Sequence, residues 1–456
     1  MSFNSSEVPS SLYLLVDEHA GGILAPWVKY SRSSGDYSIL EEYLDTAVKA
    51  YLYNGGKGKL VSISVLVKRR NKQRNAQLGA LRRKKGRGKS GPNILDDINQ
   101  DRLDPSDFLK DGANARGQKN CKYRELVWDV EQRGKMGENL LHICLLHNTA
   151  DMNELAKQIV IRFPKIVNDI FISEDYYGLS PLHQAIVNED VEMVYFLCKK
   201  GADVHQRCYG SFFCADDQKT SRTDSLEHEW VDLVQNTRYT GQMYWGELPL
   251  SFAACTNNQD CFRLLRAFRA DPNMTDTNGN TVLHLTVIHD LPEMFTLAYN
   301  SGASLSVRNN LKLTPLALAA RLANKRGLGE EARPSCWWSS CSAFDVQWDP
   351  ITYSLCPPII IHAHHVSGPH YLWKLNVQEE PSYQKGGLGE VDSVREEDGG
   401  LNPCSVLANV VYGDKRSHLD FFDGLLEELL ERKWEAFAKK RTDVDTVVPE
   451  RFQSQN

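Results

Sequence analysis

From residue 137 to about 323 the chain alternates apolar and polar positions in short paired blocks. Around residues 180–201 the block Leu182 to Ile186 is followed by a polar break, Asn188-Glu189-Asp190. Apolar residues then return at Val191, Val194, Tyr195, Leu197 and Cys198. That spacing gives one buried face per helix and predicts a helix–turn–helix unit. Ser180-Pro181 sets a capping hydroxyl before a proline at the first helical position, where no donor is lost. Lys199 and Lys200 suit the negative end of the second helix, and Gly201 closes it. The same grammar recurs. Gly137-Glu-Asn-Leu-Leu-His142, Gly178-Leu-Ser-Pro-Leu-His183, Gly246-Glu-Leu-Pro-Leu-Ser251, Gly279-Asn-Thr-Val-Leu-His284 and Lys312-Leu-Thr-Pro-Leu-Ala317 align with start-to-start spacings of 41, 68, 33 and 33 residues.

One helix pair cannot bury its own apolar face, whereas stacked pairs can. A period of 33 is that of the ankyrin repeat. The expected fold is therefore an all-α ankyrin-repeat solenoid of about five repeats with long finger loops, a small α/β linker and disordered segments. The two longer spacings place insertions in the first and second units. The larger insertion, roughly Gln206 to Trp245, holds Phe212, Phe213, Trp230, Tyr239, Tyr244 and Trp245 among polar residues. Aromatic-rich loops of this length on a rigid scaffold usually carry binding. The expected organisation is an N-terminal segment with a disordered basic arm (1–100) and a repeat domain (101–326). An irregular insert (327–400), a linker strand with a terminal amphipathic helix (401–441) and a tail (442–456) follow. Ser405–Tyr412, apolar and β-branched, is the expected strand. Leu425, Leu426, Leu429, Leu430, Trp434 and Phe437 form the helical stripe.

The formal net charge is −6, yet no acidic residue lies between Thr46 and Leu95. Arg69, Arg70, Arg82, Arg83, Lys84 and Lys85 head a basic run within that stretch. They are candidates for anionic lipid or another anion, at about 1 kcal/mol per basic residue near a charged surface. No aromatic residue is interleaved among them, so base reading is not expected, and no nucleic acid is expected as partner. The longest apolar runs, such as Leu12–Val16, fall far short of the ~18 residues that cross a bilayer. Met1–Ser11 lacks the features of a signal peptide. Eleven cysteines, an odd number, sit largely inside helical patterns, which suits reduced thiols in the cytosol.

Gly86-Arg-Gly-Lys-Ser90 mimics the end of a P-loop, but position 83 is Arg where glycine is needed. His205, Cys208, Cys214 and His228 do not have the spacing of a closed zinc site, and the His362–His370 cluster is weighted no higher. The recurring His142, His183 and His284 read as turn-stabilising residues bonded to nearby backbone. No catalytic constellation is present, so no enzyme, metal or cofactor is expected.

The unit Tyr244-Trp-Gly-Glu-Leu-Pro-Leu-Ser-Phe-Ala-Ala-Cys255 goes beyond a generic ankyrin pattern. It resembles the fourth ankyrin repeat of vanilloid-type transient receptor potential (TRPV) cation channels. Gly137–His142, Tyr176–Ile186, Asn278–His284 and Leu313–Ala320 fall in order on the second, third, fifth and sixth. Ser221–Trp230 resembles the third finger loop of invertebrate sensory subunits. Ser405-Val-Leu407, Val411-Tyr412, His418-Leu419, Leu429-Leu430 and Lys433–Phe437 resemble the linker and pre-membrane helix.

The resemblance implies a cytosolic assembly and regulatory part of a calcium-permeable sensory channel, at the cytoplasmic face of a membrane and not conducting by itself. It also implies tetrameric co-assembly with other channel subunits, with finger loops at the interface. Phe212, Phe213, Trp230, Tyr244, Trp245 and Trp434 are the expected anchors, since aromatics dominate binding hot spots. Some family members bind ATP through two lysines of the second repeat. Those positions hold Glu138 and His142 here, so ATP is not expected. The chain as written stops before the pore and reads as truncated. Two other readings stay open: a soluble ankyrin adaptor that binds a protein partner, and a nuclear regulator driven by the basic arm.

Overall fold

A computed structural model describes residues 12–16, 22–84, 122–224, 228–322, 406–413, 415 and 418. The chain forms two compact units, Met1–Asn278 and Gly279–Asn456.

In the first unit, α1 (Ala25–Ser34) and α2 (Ser38–Tyr43) precede a strand β1 (Lys59–Ser62) and the long helix α3 (Ile63–Lys84). β1 pairs antiparallel with β2 (Tyr123–Leu126), in the register Lys59↔Leu126 to Ser62↔Tyr123. Three helix pairs follow: α4 (Leu140–His147) with α5 (Ala150–Arg162), α6 (Pro181–Val187) with α7 (Val191–Lys199), and α8 (Pro249–Cys255) with α9 (Gln259–Ala267). Each pair packs internally, and α4, α6 and α8 pack in succession. α1 packs on α5, so the N-terminal helices cover the flank of the first described pair.

The helix starts follow from the sequence. Asn139, Ser180, Thr149, Asp190 and Asn258 cap their helices with side-chain oxygens, each satisfying an otherwise orphaned amide. Gly137 and Gly178 take positive φ where the chain reverses; a Cβ there would meet the Ile172 carbonyl at 2.2 Å and the Arg207 carbonyl at 2.4 Å. At these two positions glycine is therefore required by close backbone approach as well as by the turn.

After α5, Asp169 is buried and ties its own segment to the one that leads into α4. It accepts from the Val127 amide (3.0 Å), the Trp128 amide (2.7 Å) and Arg133 Nη2 (2.6 Å). Arg133 also donates to the Ile170 carbonyl at 2.6 Å.

The second unit holds α10 (Val282–Ile288) with α11 (Pro292–Asn300), then α12 (Pro315–Leu322) and α13 (Val406–Val411). α10 packs on α11 and α12, and α12 on α13.

Two expectations are corrected here. The basic stretch after residue 57 is not a disordered arm through 84: it forms β1 and α3, because Ile63, Leu66 and Val67 give it a buried face. Where a linker strand is expected over 405–412, Val406–Val411 form a helix. Val406, Ala408 and Val410 are buried as it packs on α12, and Lys415 Nζ donates to the Leu322 carbonyl at 2.8 Å. A short apolar run does not distinguish strand from helix by periodicity, and the α12 surface decided. The insert at 327–400 and the stripe from Leu425 to Phe437 lie outside the described residues.

Candidate interaction surface

The insertion between α7 and α8 is anchored at both ends. Its exit, Gly246-Glu247, is the hub. The Glu247 carbonyl accepts from the Cys208 amide (2.8 Å) and faces His183 Nε2 (3.2 Å). Its carboxylate accepts from Arg207 Nη1 (2.8 Å) and the Thr277 amide (3.0 Å). A glutamate after the turn glycine thus stitches the loop to the helices on either side.

Within the loop, short turns at Ser211–Phe213 and Lys219–Ser221 lead to a two-residue hairpin. Its strands β3 (Thr223–Asp224) and β4 (Val231–Asp232) pair Thr223↔Asp232 and Asp224↔Val231.

The expected anchors separate into two groups. Tyr244 is buried; its hydroxyl bonds to Asp276 and accepts from Asn278 Nδ2 at 3.2 Å. Phe213 is buried between Trp245 (ring centroids 5.7 Å) and Phe252 (4.8 Å). Both are internal supports, which corrects their assignment as anchors: the loop is long enough to build its own core. Phe212, Trp230 and Trp245 are half-buried. Phe212 leans on Tyr176 at 5.2 Å, and Trp245 donates from Nε1 to the Gln242 carbonyl at 3.0 Å. Trp230 stacks on His228 and packs against the cluster of Leu66, Leu126, Ile172, Tyr177 and Val231. Trp434 lies outside the described residues.

Leu66 in that cluster belongs to α3, and the basic run meets the loop there. Arg70 has a fully buried side chain. It pairs with Asp224, donates to the Glu229 carbonyl at 3.2 Å, and lies 4.5 Å over the Tyr177 ring. Arg74 grips Glu174 with two bonds, Nε at 2.8 Å and Nη2 at 2.9 Å, and reaches Asp224 at 2.6 Å. From the loop side, Arg222 lies 3.7 Å from Glu174. Next to this group Arg124 forks onto Glu229 (2.6 and 2.5 Å), which also accepts from the Tyr177 hydroxyl at 2.8 Å. Burial alone would lift the Glu229 carboxyl, but the Arg124 guanidinium, the Tyr177 hydroxyl and Arg70 together more than offset it and hold it low. Burial, with Glu229 alongside, pushes the Tyr177 phenol well up.

Arg70 is therefore unavailable to lipid, which corrects its place among the anion candidates. Arg69 is partly exposed and pairs with Glu131 at 2.7 Å. Arg82, Arg83 and Lys84 continue the α3 backbone, and Lys85 lies outside the described residues. From sequence Arg74 reads only as part of the basic run, and Glu174, Asp224, Arg124 and Glu229 are not singled out. The one available signal was Leu66, Arg70 and Arg74 at four-residue spacing, which shares a helix face.

The recurring histidines are internal. His183 and His284 each join a capping box and face the next turn's carbonyl through Nε2, Glu247 at 3.2 Å and Leu313 at 3.0 Å. Burial lowers His183 to about 3 and His284 to about 4. His142 makes the capping box with Asn139, but its buried Nε2 has no hydrogen-bond partner; burial, with Arg133 nearby, holds it well below the usual value. Glu138, at the other position discussed for ATP, bonds to Tyr13 and accepts from the Met136 amide at 2.8 Å.

The ankyrin-repeat family model matches residues 177–209 and 245–277, the helix pairs that flank the finger loop. With the recurring capped pairs, this identifies ankyrin repeats at those residues. Its relatives are more specific. It is 31% identical over 201 residues to rat transient receptor potential cation channel subfamily V member 5, covering 42% of this chain and 24% of that one. It is 34% identical over 201 residues to the rat subfamily V member 6, 42% and 23% of the two chains. With the human subfamily V member 2 it shares 36% over 169 residues, 33% and 19%. Over its ankyrin region the chain is similar to TRPV channels. The match spans about a quarter or less of those relatives' own length. Among the described residues no helix is long and apolar enough to cross a membrane.

Proposed function

We propose that this chain is the cytosolic assembly and regulatory part of a calcium-permeable TRPV-like sensory channel, and that it does not conduct by itself. The observation that carries the reading is the likeness to several subfamily V channels over the ankyrin region. The period of 33 residues in the last three repeats supports a five-repeat solenoid. Solenoids of this kind bind proteins on their surfaces, and no catalytic constellation was found in the sequence, so the role is assembly rather than catalysis.

The partners are other channel subunits, in tetrameric co-assembly. Phe212, Trp230 and Trp245 are the contact residues, being large, half-exposed and held on a braced loop. Arg69, Arg82, Arg83, Lys84 and Lys85 are the residues for anionic lipid at the membrane face. ATP is not a ligand, because Glu138 and His142 supply no cation where phosphate would need one.

The test is expression of the chain alone and with a full-length subfamily V subunit. Patch recording of cells with the chain alone gives no new cation current, and affinity capture of the chain recovers the full-length subunit. A current from the chain alone, or no capture, refutes the proposal.

A further inference from the structure

We propose that the finger loop, together with the 172–177 turn before α6, forms a receptor for a basic amphipathic helix bearing leucine, arginine and arginine at four-residue spacing, and that α3 is its resident, displaceable ligand. The recognition is laid out in the molecule. Leu66 enters the apolar cluster of Leu126, Ile172, Tyr177 and Val231. One turn on, Arg70 stacks over Tyr177 and pairs with Asp224. Another turn on, Arg74 forks onto Glu174 and reaches Asp224. Between them Gln73 Oε1 accepts from the Glu174 amide at 3.0 Å. All four contacts sit on one stretch of α3.

The acceptor side requires such a ligand. Glu174 and Asp224 are nearly fully buried, at 3% and 1% side-chain exposure. Of the three arginines that pair with them, two come from α3, and the loop itself supplies Arg222. With α3 removed, Glu174 keeps only Arg222, at 3.7 Å, of the ion-pair partners described and Asp224 keeps none of them, so the vacated groove is acidic and draws a cation. The site therefore selects arginine, whose planar fork fits a carboxylate in two bonds.

The same physics makes the contact exchangeable. Burying ion pairs costs desolvation that largely cancels their attraction, so the pairs give specificity more than tightness. A second helix with the same three residues meets the same groups, but it competes with a tethered copy, so it must match the effective concentration of α3 or add contacts of its own. A basic helix of an assembly partner could thus take the place of α3 and couple partner binding to release of the N-terminal segment.

The probe is a fluorescent synthetic peptide of residues 59–84. Binding is measured by anisotropy to the full chain, wild type and Arg70→Glu/Arg74→Glu, with circular dichroism and melting recorded for both. The folded double variant should bind the peptide at least tenfold more tightly than wild type, because its own α3 no longer fills the site. A peptide carrying the same two reversals should not bind either chain. Equal binding to both chains, binding of the reversed peptide, or no binding to the folded double variant overturns the proposal. If the double variant does not fold, Leu66→Ala with Arg74→Gln takes its place under the same criteria.

Discussion

The helix pairs and the finger loop between α7 and α8 solve one problem, burial of a polar backbone, in opposite ways. A pair uses local rules: a capping side chain, a glycine at the reversal, one apolar face. The finger uses distant partners. Asp224 is neutralised from residues 70 and 74, and Glu229 from residue 124. Local devices repeat and tolerate individual loss, whereas long-range charge pairs fail as a group. The first way to break the comparison is at Asp169, where both styles meet. It is fully buried and accepts two amides and Arg133. Asp169→Ala leaves Arg133 buried without its carboxylate and should cost about 3–5 kcal/mol. Chemical denaturation would show it; a loss under about 1 kcal/mol would mean the pair contributes no more than a surface contact.

The second test concerns the paired helices and acts through pH. His183 is neutral in the folded chain down to about pH 3, while in the unfolded chain it takes a proton near 6.5. Between those values the unfolded state binds more protons, so stability falls as pH is lowered, by about 1.4 kcal/mol per unit. From pH 6.5 to 4.5 this histidine should remove roughly 2–3 kcal/mol. His284 acts the same way down to about 4. His183→Gln should flatten the slope of stability against pH across that window; an unchanged slope would mean the imidazole is hydrated in the folded state.

Legibility in the sequence follows the same division. The helix pairs were readable because every determinant lies within a few residues: Ser180 before Pro181, Gly178 at the reversal, Val194 and Leu197 facing inward. The finger core was not, since Tyr244 and Trp245 are adjacent and alike in the sequence, yet one is buried on Asp276 and the other half-exposed on Phe213. Arg70 looked like part of a solvated charge run; its acidic partners stand 104 and 154 positions away. The α13 helix was misread because its conformation is set by α12, more than eighty residues earlier.

A third test compares two repeats at one position. His183 Nε2 faces a carbonyl, and His142 Nε2 has no hydrogen-bond partner. Both make the capping box, so that contribution cancels. His183→Ala should therefore cost about 1 kcal/mol more than His142→Ala, the net worth of one buried hydrogen bond. Equal costs in parallel denaturation curves would mean that the Cys208 amide alone satisfies the Glu247 carbonyl.

The smallest effect sits where a repeat departs from its own rule. Four of the five aligned units begin with glycine, and Gly137, Gly178, Gly246 and Gly279 have φ between 73° and 87°. The fifth begins with Lys312, which takes the same left-handed conformation at φ 61°. A side chain there strains against its own backbone by roughly 1–2 kcal/mol. Glycine would relieve the strain but lose about 0.5–1 kcal/mol to the greater freedom of the unfolded chain. Lys312→Gly should thus stabilise the second unit by about 0.5–1 kcal/mol, within a range of roughly 0 to 1.5. A raised melting temperature would show that the glycine at the other four units serves the turn conformation. If the substitution destabilised the protein, Lys312 would be making a contact that outweighs its strain, and the fifth unit would follow a rule of its own.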